Sequence, residues 1–130
     1  MKIKLTSILV NDQSKALDFY TEVLGFQKKQ DIPLGEYRWL SVVSPEGRDD
    51  LELSLEPAGS GPALTYQAAL YEAGTPLTAF ESSDVQRDYD SLVERGVVFK
   101  SGPTAAGPTV MAVFDDTCGN WIQIYQVQSP

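Results

Sequence analysis

Apolar and polar positions along the chain follow strand and helix periods in an order that is used twice. Residues 2–10 place Ile3 and Leu5 two apart and then close into Ile8, Leu9 and Val10, which predicts a first strand. Ala16, Leu17, Tyr20, Val23 and Leu24 follow at helical spacing, with Phe19 widening the stripe and Asp12 or Ser14 available as the cap. Gly25 is placed to end that helix in a left-handed conformation. Residues 26–32, 36–44 and 50–56 then read as three strands, separated by Pro33-Leu34-Gly35 and by Ser44-Pro45-Glu46-Gly47.

The same order returns after a linker at 57–62, PAGSGP, and a short helix at 63–73 that ends before Gly74 and Pro76. A strand at 77–83 leads to Asp84 or Ser83 as cap, then to a helix whose buried stripe is Val85, Tyr89, Leu92 and Val93, and then to Gly96. Strands at 97–100, 108–115 and 120–127 finish the chain. The halves register at an offset of 71–73 residues, so that Gly25 corresponds to Gly96 and Glu52 to Gln123. Two copies are too few for a stacked solenoid and imply a duplicated body, with function sought where the halves meet.

Composition narrows the setting. At 130 residues the chain has the length of one domain. Its formal net charge of −8, with no large Lys/Arg cluster, argues against nucleic acid and anionic membranes as partners. No apolar run approaches the roughly 20 residues that span a bilayer, and the start, MKIKLTSILVNDQ, reads as a strand and not as a signal peptide. A single cysteine, Cys118, fits a reducing cytoplasm, and its place between Thr117 and Gly119 reads as a turn residue, not a nucleophile.

Val10-Asn11-Asp12, Ala16-Leu17-Asp18-Phe19-Tyr20, Val23-Leu24-Gly25-Phe26 and the closing Asp116-Thr117-Cys118-Gly119-Asn120-Trp121-Ile122-Gln123-Ile124 stand in an order that resembles the vicinal oxygen chelate superfamily. That superfamily includes glyoxalase I, bleomycin-resistance proteins and extradiol dioxygenases. The resemblance implies an α+β fold in a single domain over 1–130. Two βαβββ modules, about 1–57 and 76–130, would form an incomplete barrel of mixed sheet around a cavity, with the helices on the convex face. It also implies a homodimer, because small members commonly pair their modules across two subunits.

Period two then divides the strand residues between cavity and helices. On this reading Glu52 and Ser54 face the cavity while Leu51, Leu53 and Leu55 pack on a helix; Trp121, Gln123 and Tyr125 face in while Ile122 and Ile124 face out. Leu5, Ser7, Thr78 and Phe80 are expected to face in, and residues 36–44 leave two choices, Arg38 with Leu40 or Trp39 with Ser41.

Metal-dependent members hold a divalent ion with four side chains, and those places fall here on Leu5, Glu52, Thr78 and Gln123. Leucine cannot ligate, threonine is a poor neutral ligand, and the chain has no histidine, the commonest ligand for zinc, iron, nickel and copper. No metal and no other cofactor is therefore expected, and glyoxalase or dioxygenase chemistry is disfavoured. The function predicted is the binding of a small organic molecule, with Ser7, Arg38, Glu52, Ser54, Phe80, Trp121, Gln123 and Tyr125 as the contact residues. Glu52 is the one candidate catalytic group, as a general base, in an alternative reading as an atypical enzyme. The helix at 63–73, with Tyr66, Leu70 and Tyr71, is a candidate lid or subunit contact.

Overall fold

The computed structural model describes residues 1–128 and divides into two compact units, Met1–Gln67 and a second beginning at Ala68. In the first, β1 (Leu5–Val10) leads into α1 (Gln13–Asp18), which continues as a π-helical turn over Phe19–Val23. Strands β2 (Gln27–Leu34), β3 (Tyr37–Val43) and β4 (Glu52–Pro57) complete a sheet in the order β1-β4-β3-β2. Helix α2 (Pro62–Ala73) carries the boundary between the units within its length. The second unit then runs β5 (Thr78–Glu81), α3 (Val85–Glu94), β6 (Phe99–Ala106), β7 (Thr109–Asp115) and β8 (Trp121–Val127), in the order β5-β8-β7-β6.

The repeat read from the sequence is therefore one topology used twice, a βαβββ module in which the first strand pairs parallel to the last. The caps agree: the Asp12 carboxylate accepts from the Lys15 amide and the Asp84 carboxylate from the Arg87 amide, each at 3.0 Å. Gly25 and Gly96 both take positive φ, 83° and 88°, where the helices end.

In the first unit, Ala16, Phe19 and Tyr20 are buried, as are Ile8, Val10, Leu40, Val42, Leu53 and Leu55 on one face of the sheet. The π-helical turn, closed by the Leu24 amide on the Phe19 carbonyl at 3.1 Å, adds a residue to the turn and lets both aromatics turn inward. Leu51, expected on the helix face, precedes β4 and is exposed. In the second unit α3 buries Val85 and Leu92, with Tyr89 edge-on to Phe99 and Phe99 against Phe114; Val93 is exposed. Strand β6 outruns the expected 97–100, because register shifts between Phe99 and Ser101 and between Ser101 and Thr104 carry Gly102-Pro103 within an edge strand.

Candidate functional site

Each sheet has a helix face and a far face, and the register assigns residues to them. Residues directly opposite in a ladder share a face. In the first unit Leu5 pairs with Glu52 and Ser7 with Ser54 across β1 and β4, and Ser54 pairs with Ser41 across β4 and β3. Ser7, Glu52 and Ser54 therefore lie together on the far face, with Ser41 and, two residues along, Trp39. Of the two choices left open for β3, the structure takes Trp39 with Ser41.

Two hydrogen bonds order this face. The buried Ser41 hydroxyl donates to Glu52 Oε1 at 2.6 Å, and the buried Ser54 hydroxyl donates to Glu56 Oε1 at 2.9 Å. Both carboxylates are half-buried and have hydroxyl partners, and neither forms an ion pair among the described residues. Beyond them the β2–β3 hairpin sets Ile32 opposite Trp39 and Leu34 opposite Tyr37, all four large and exposed. The far face thus joins an aromatic and aliphatic surface to two oriented carboxylates.

Arg38 lies on the opposite side of the same strand. Its guanidinium donates to Asp31 through Nε at 2.9 Å and Nη2 at 2.8 Å, and through Nη1 to the Ser14 hydroxyl at 2.8 Å. The bidentate Arg38 contact holds the Asp31 carboxyl below its ordinary value, and Asp31 in turn raises Arg38. The cation is thereby committed to a carboxylate on the helix side and is not presented beside Glu52. Gln13, which sequence reasoning did not single out, works nearby. Its Nε2 donates to the carbonyls of Arg38 at 2.7 Å and Leu55 at 2.9 Å, and its Oε1 accepts from the Arg38 amide at 3.0 Å. The β3–β4 register is confined to Ser41–Ser54 and Val42–Leu53, and this side chain bridges the strands where their ladder lapses.

In the second unit the far face of β8 carries Trp121, Gln123 and Tyr125, while Ile122 and Ile124 are buried on the helix face, as the alternation predicts. Strand β5 is displaced by one residue from the expectation. Thr78 pairs with Ile122 and Phe80 with Ile124, so both belong to the helix face; Ala79 and Glu81 pair with Gln123 and Tyr125. The offset of 73 that assigned Thr78 and Phe80 is odd, and a one-residue slip exchanges the faces of a strand. The two caps, Asp12 and Asp84, stand 72 apart and were the signal for the even offset.

Gln123 donates from Nε2 to Met111 Sδ at 3.0 Å, a weak acceptor. Trp121 lies beneath Tyr71 of α2, with the rings stacked at 4.9 Å and 5° apart. The Trp121 indole Nε1 donates to the Tyr71 carbonyl at 3.0 Å, and the Tyr71 hydroxyl donates to Asp115 Oδ2 at 2.7 Å. Asp115, and to a smaller extent Asp116, raises the Tyr71 hydroxyl above its usual pKa. The turn before β8 is tied by the buried Asp116 carboxylate, which accepts from the Cys118 and Asn120 amides at 2.7 and 3.1 Å and from Asn120 Nδ2 at 2.8 Å. Cys118 is buried in that turn. An open depression of about 590 Å³ is lined by Glu81, Ser82, Ser83, Gln126, Val127 and Gln128, and it includes none of the expected contact residues.

A duplicated βαβββ topology with opposed helix and far faces defines the class of protein. The family model for the Glyoxalase/Bleomycin resistance protein/Dioxygenase superfamily matches residues 2–124, and the chain belongs to that superfamily. It is 52% identical over 126 residues to the uncharacterized protein YurT of Bacillus subtilis strain 168, covering 97% of this chain and 99% of that one. The lactoylglutathione lyase of Escherichia coli O157:H7 is 26% identical, covering 97% of this chain and 93% of its own. Among solved structures, TnmS3, an antibiotic binding protein from Streptomyces sp. CB03234, is 32% identical with a TM-score of 0.75, covering 98% of this chain and 97% of that one.

The metal that some members of the superfamily carry does not fit these residues. The places assigned to ligands hold Leu5 and Glu52 in the first unit, and Thr78 and Gln123 in the second, where the residue that shares the Gln123 face is Ala79. A leucine and an alanine bring no donor atom, threonine faces the other way, and the remaining donors are one carboxylate and one amide. No helix among the described residues is long and apolar enough to cross a membrane.

Proposed function

We propose that this protein is a metal-free binder of a small organic molecule, a single domain of two modules that acts by holding its ligand. The observation that carries the reading is the content of the far faces. In the first unit Trp39 shares its face with Ser7, Glu52 and Ser54, and in the second Trp121 and Tyr125 share theirs with Gln123, while the places of the family's metal ligands keep only one carboxylate and one amide. Apolar and aromatic burial supplies the affinity in such a site, and a few fixed polar groups supply orientation. The Ser41–Glu52 and Ser54–Glu56 hydrogen bonds support that second role, because they set the carboxylates before a ligand arrives. The likeness to an antibiotic binding protein at 32% identity supports the same reading. The net charge of −8 fits a small-molecule partner better than nucleic acid. A homodimer working in the cytoplasm completes the proposal.

A thermal-shift panel of planar aromatic and cationic metabolites tests it, run on the wild type and on W39L and E52Q. A ligand at 100 times its Kd stabilises the folded state by about 2.7 kcal/mol. At least one compound is expected to raise the Tm of the wild type in a concentration-dependent way, with a smaller rise in the two variants. A panel that shifts nothing defeats the proposal.

A second reading is favoured by the same Ser41–Glu52 bond of 2.6 Å, which orients Glu52 as a general base would need. Turnover of a panel ligand that E52Q abolishes, with binding retained, is the result that moves the protein from binder to enzyme.

A further inference from the structure

Tyr71 meets Trp121 as a ligand would. The phenol ring lies flat on the indole at 4.9 Å and 5°, and its hydroxyl donates to Asp115 Oδ2 at 2.7 Å. Asp115 and Trp121 are opposite each other across β7 and β8, so one cross-strand pair supplies both the stacking surface and the acceptor. The indole is fixed in its plane by the Nε1 bond to the Tyr71 carbonyl.

Earlier on the same helix Gln67 is buried and its Nε2 donates to the Leu9 carbonyl at 3.0 Å, but the last turn that carries Tyr71 is held by little else. Of residues 68–73, Leu70 is half-buried and the others are exposed, Tyr71 at 36%. The apolar residues of α2 are scattered around the helix and form no stripe that a sheet must cover. The contacts of Tyr71 are at the surface, where water replaces a lost hydrogen bond at low cost.

We propose that Tyr71 is a resident stand-in for the ligand, and that the second sheet binds a planar aromatic ring bearing a hydrogen-bond donor, a phenol or an aryl amine. The incoming ring displaces Tyr71, stacks on Trp121 and donates to Asp115. This deepens the small-molecule reading and rests on it: it names the ligand class and makes the Tyr71 side chain a latch that must swing aside while the helix backbone stays in place. The displaced contacts, one stacked pair and one charge-assisted hydrogen bond, set an internal competition of roughly tenfold.

The test uses 2-naphthol and 2-methoxynaphthalene, which share a ring system and differ in the donor. Alanine at an exposed helical position keeps the helix, so Y71A removes the competitor without removing its support. Isothermal titration is expected to give roughly tenfold tighter 2-naphthol binding to Y71A than to the wild type, with Y71F between them. The methoxy compound should gain less, and W121L should lose the binding. Equal 2-naphthol affinity in Y71A and wild type overturns the proposal, as does an absence of binding to Y71A. In a W39F background Trp121 is the sole indole, and its emission should change with 2-naphthol in Y71A; no change also counts against the stand-in. The binder reading is judged separately, on the wild type with the full panel. A panel hit bound equally by wild type, Y71A and W121L therefore removes the Tyr71 stand-in alone.

Discussion

Replacing Gln13 with alanine should be among the most damaging polar substitutions in the first unit, although Gln13 belongs to no recognisable site. Its amide closes three hydrogen bonds, at 2.7, 2.9 and 3.0 Å, with the Arg38 carbonyl, the Leu55 carbonyl and the Arg38 amide. Alanine leaves two carbonyls and one N–H without these partners between strands that do not pair at that point. At about 1 kcal/mol per bond the loss is about 3 kcal/mol. In a domain of this size about 1 kcal/mol moves the midpoint by about 4 °C, so the Tm should fall by about 12 °C. Q13E should recover little, since it keeps the acceptor and turns a carboxylate toward two carbonyls. Urea unfolding by circular dichroism measures the difference, and an unchanged m-value shows that the same structure is being lost. A loss below about 0.5 kcal/mol for Q13A would refute the bridging role.

Further outcomes follow from the same geometry. Arg38 depresses the Asp31 carboxyl in the folded state, so that pair adds stability above the unfolded aspartate value, and the gain disappears as pH falls through the lower folded value. The stability gap between wild type and D31N should therefore be open near neutrality and close on acidification below about pH 4, read by urea titrations in a pH series. The raised Tyr71 hydroxyl has the opposite sense: its contribution is complete below about pH 10 and is lost as pH rises through the folded value, whereas Y71F lacks that alkaline loss. Phe80 pairs with Ile124 on the helix face, so F80A should cost about 2 kcal/mol of stability and leave ligand affinity unchanged. D116A removes a buried carboxylate that holds three donors and should cost about 4 kcal/mol, seen as lost soluble yield or a much lower urea midpoint.

The fold was legible because each module announces its helix by a cap and a glycine. Asp12 with Gly25 and Asp84 with Gly96 frame two amphipathic stripes that no strand period can mimic. Strand parity was legible where apolar and polar residues alternate cleanly, as in Leu53-Ser54-Leu55 and Ile122-Gln123-Ile124. It failed at β5, where Thr78, Ala79, Phe80 and Glu81 offer little contrast and the choice of face rested on a repeat offset of the wrong parity. Arg38 could not be placed from the sequence, because its role depends on Asp31 and Ser14, seven and 24 residues away. The same holds for Tyr71 and Trp121, 50 residues apart, whose stacking no local pattern encodes.

The account rests on the claim that these far faces bind an organic ligand without a metal. The most direct test is isothermal titration of the best panel ligand into untagged protein, before and after exhaustive dialysis against a chelator, with metal content measured on the same samples. Substoichiometric metal throughout and the same affinity in both samples are expected. A stoichiometric divalent ion that survives ordinary dialysis, with binding lost when the chelator removes it, would contradict the account.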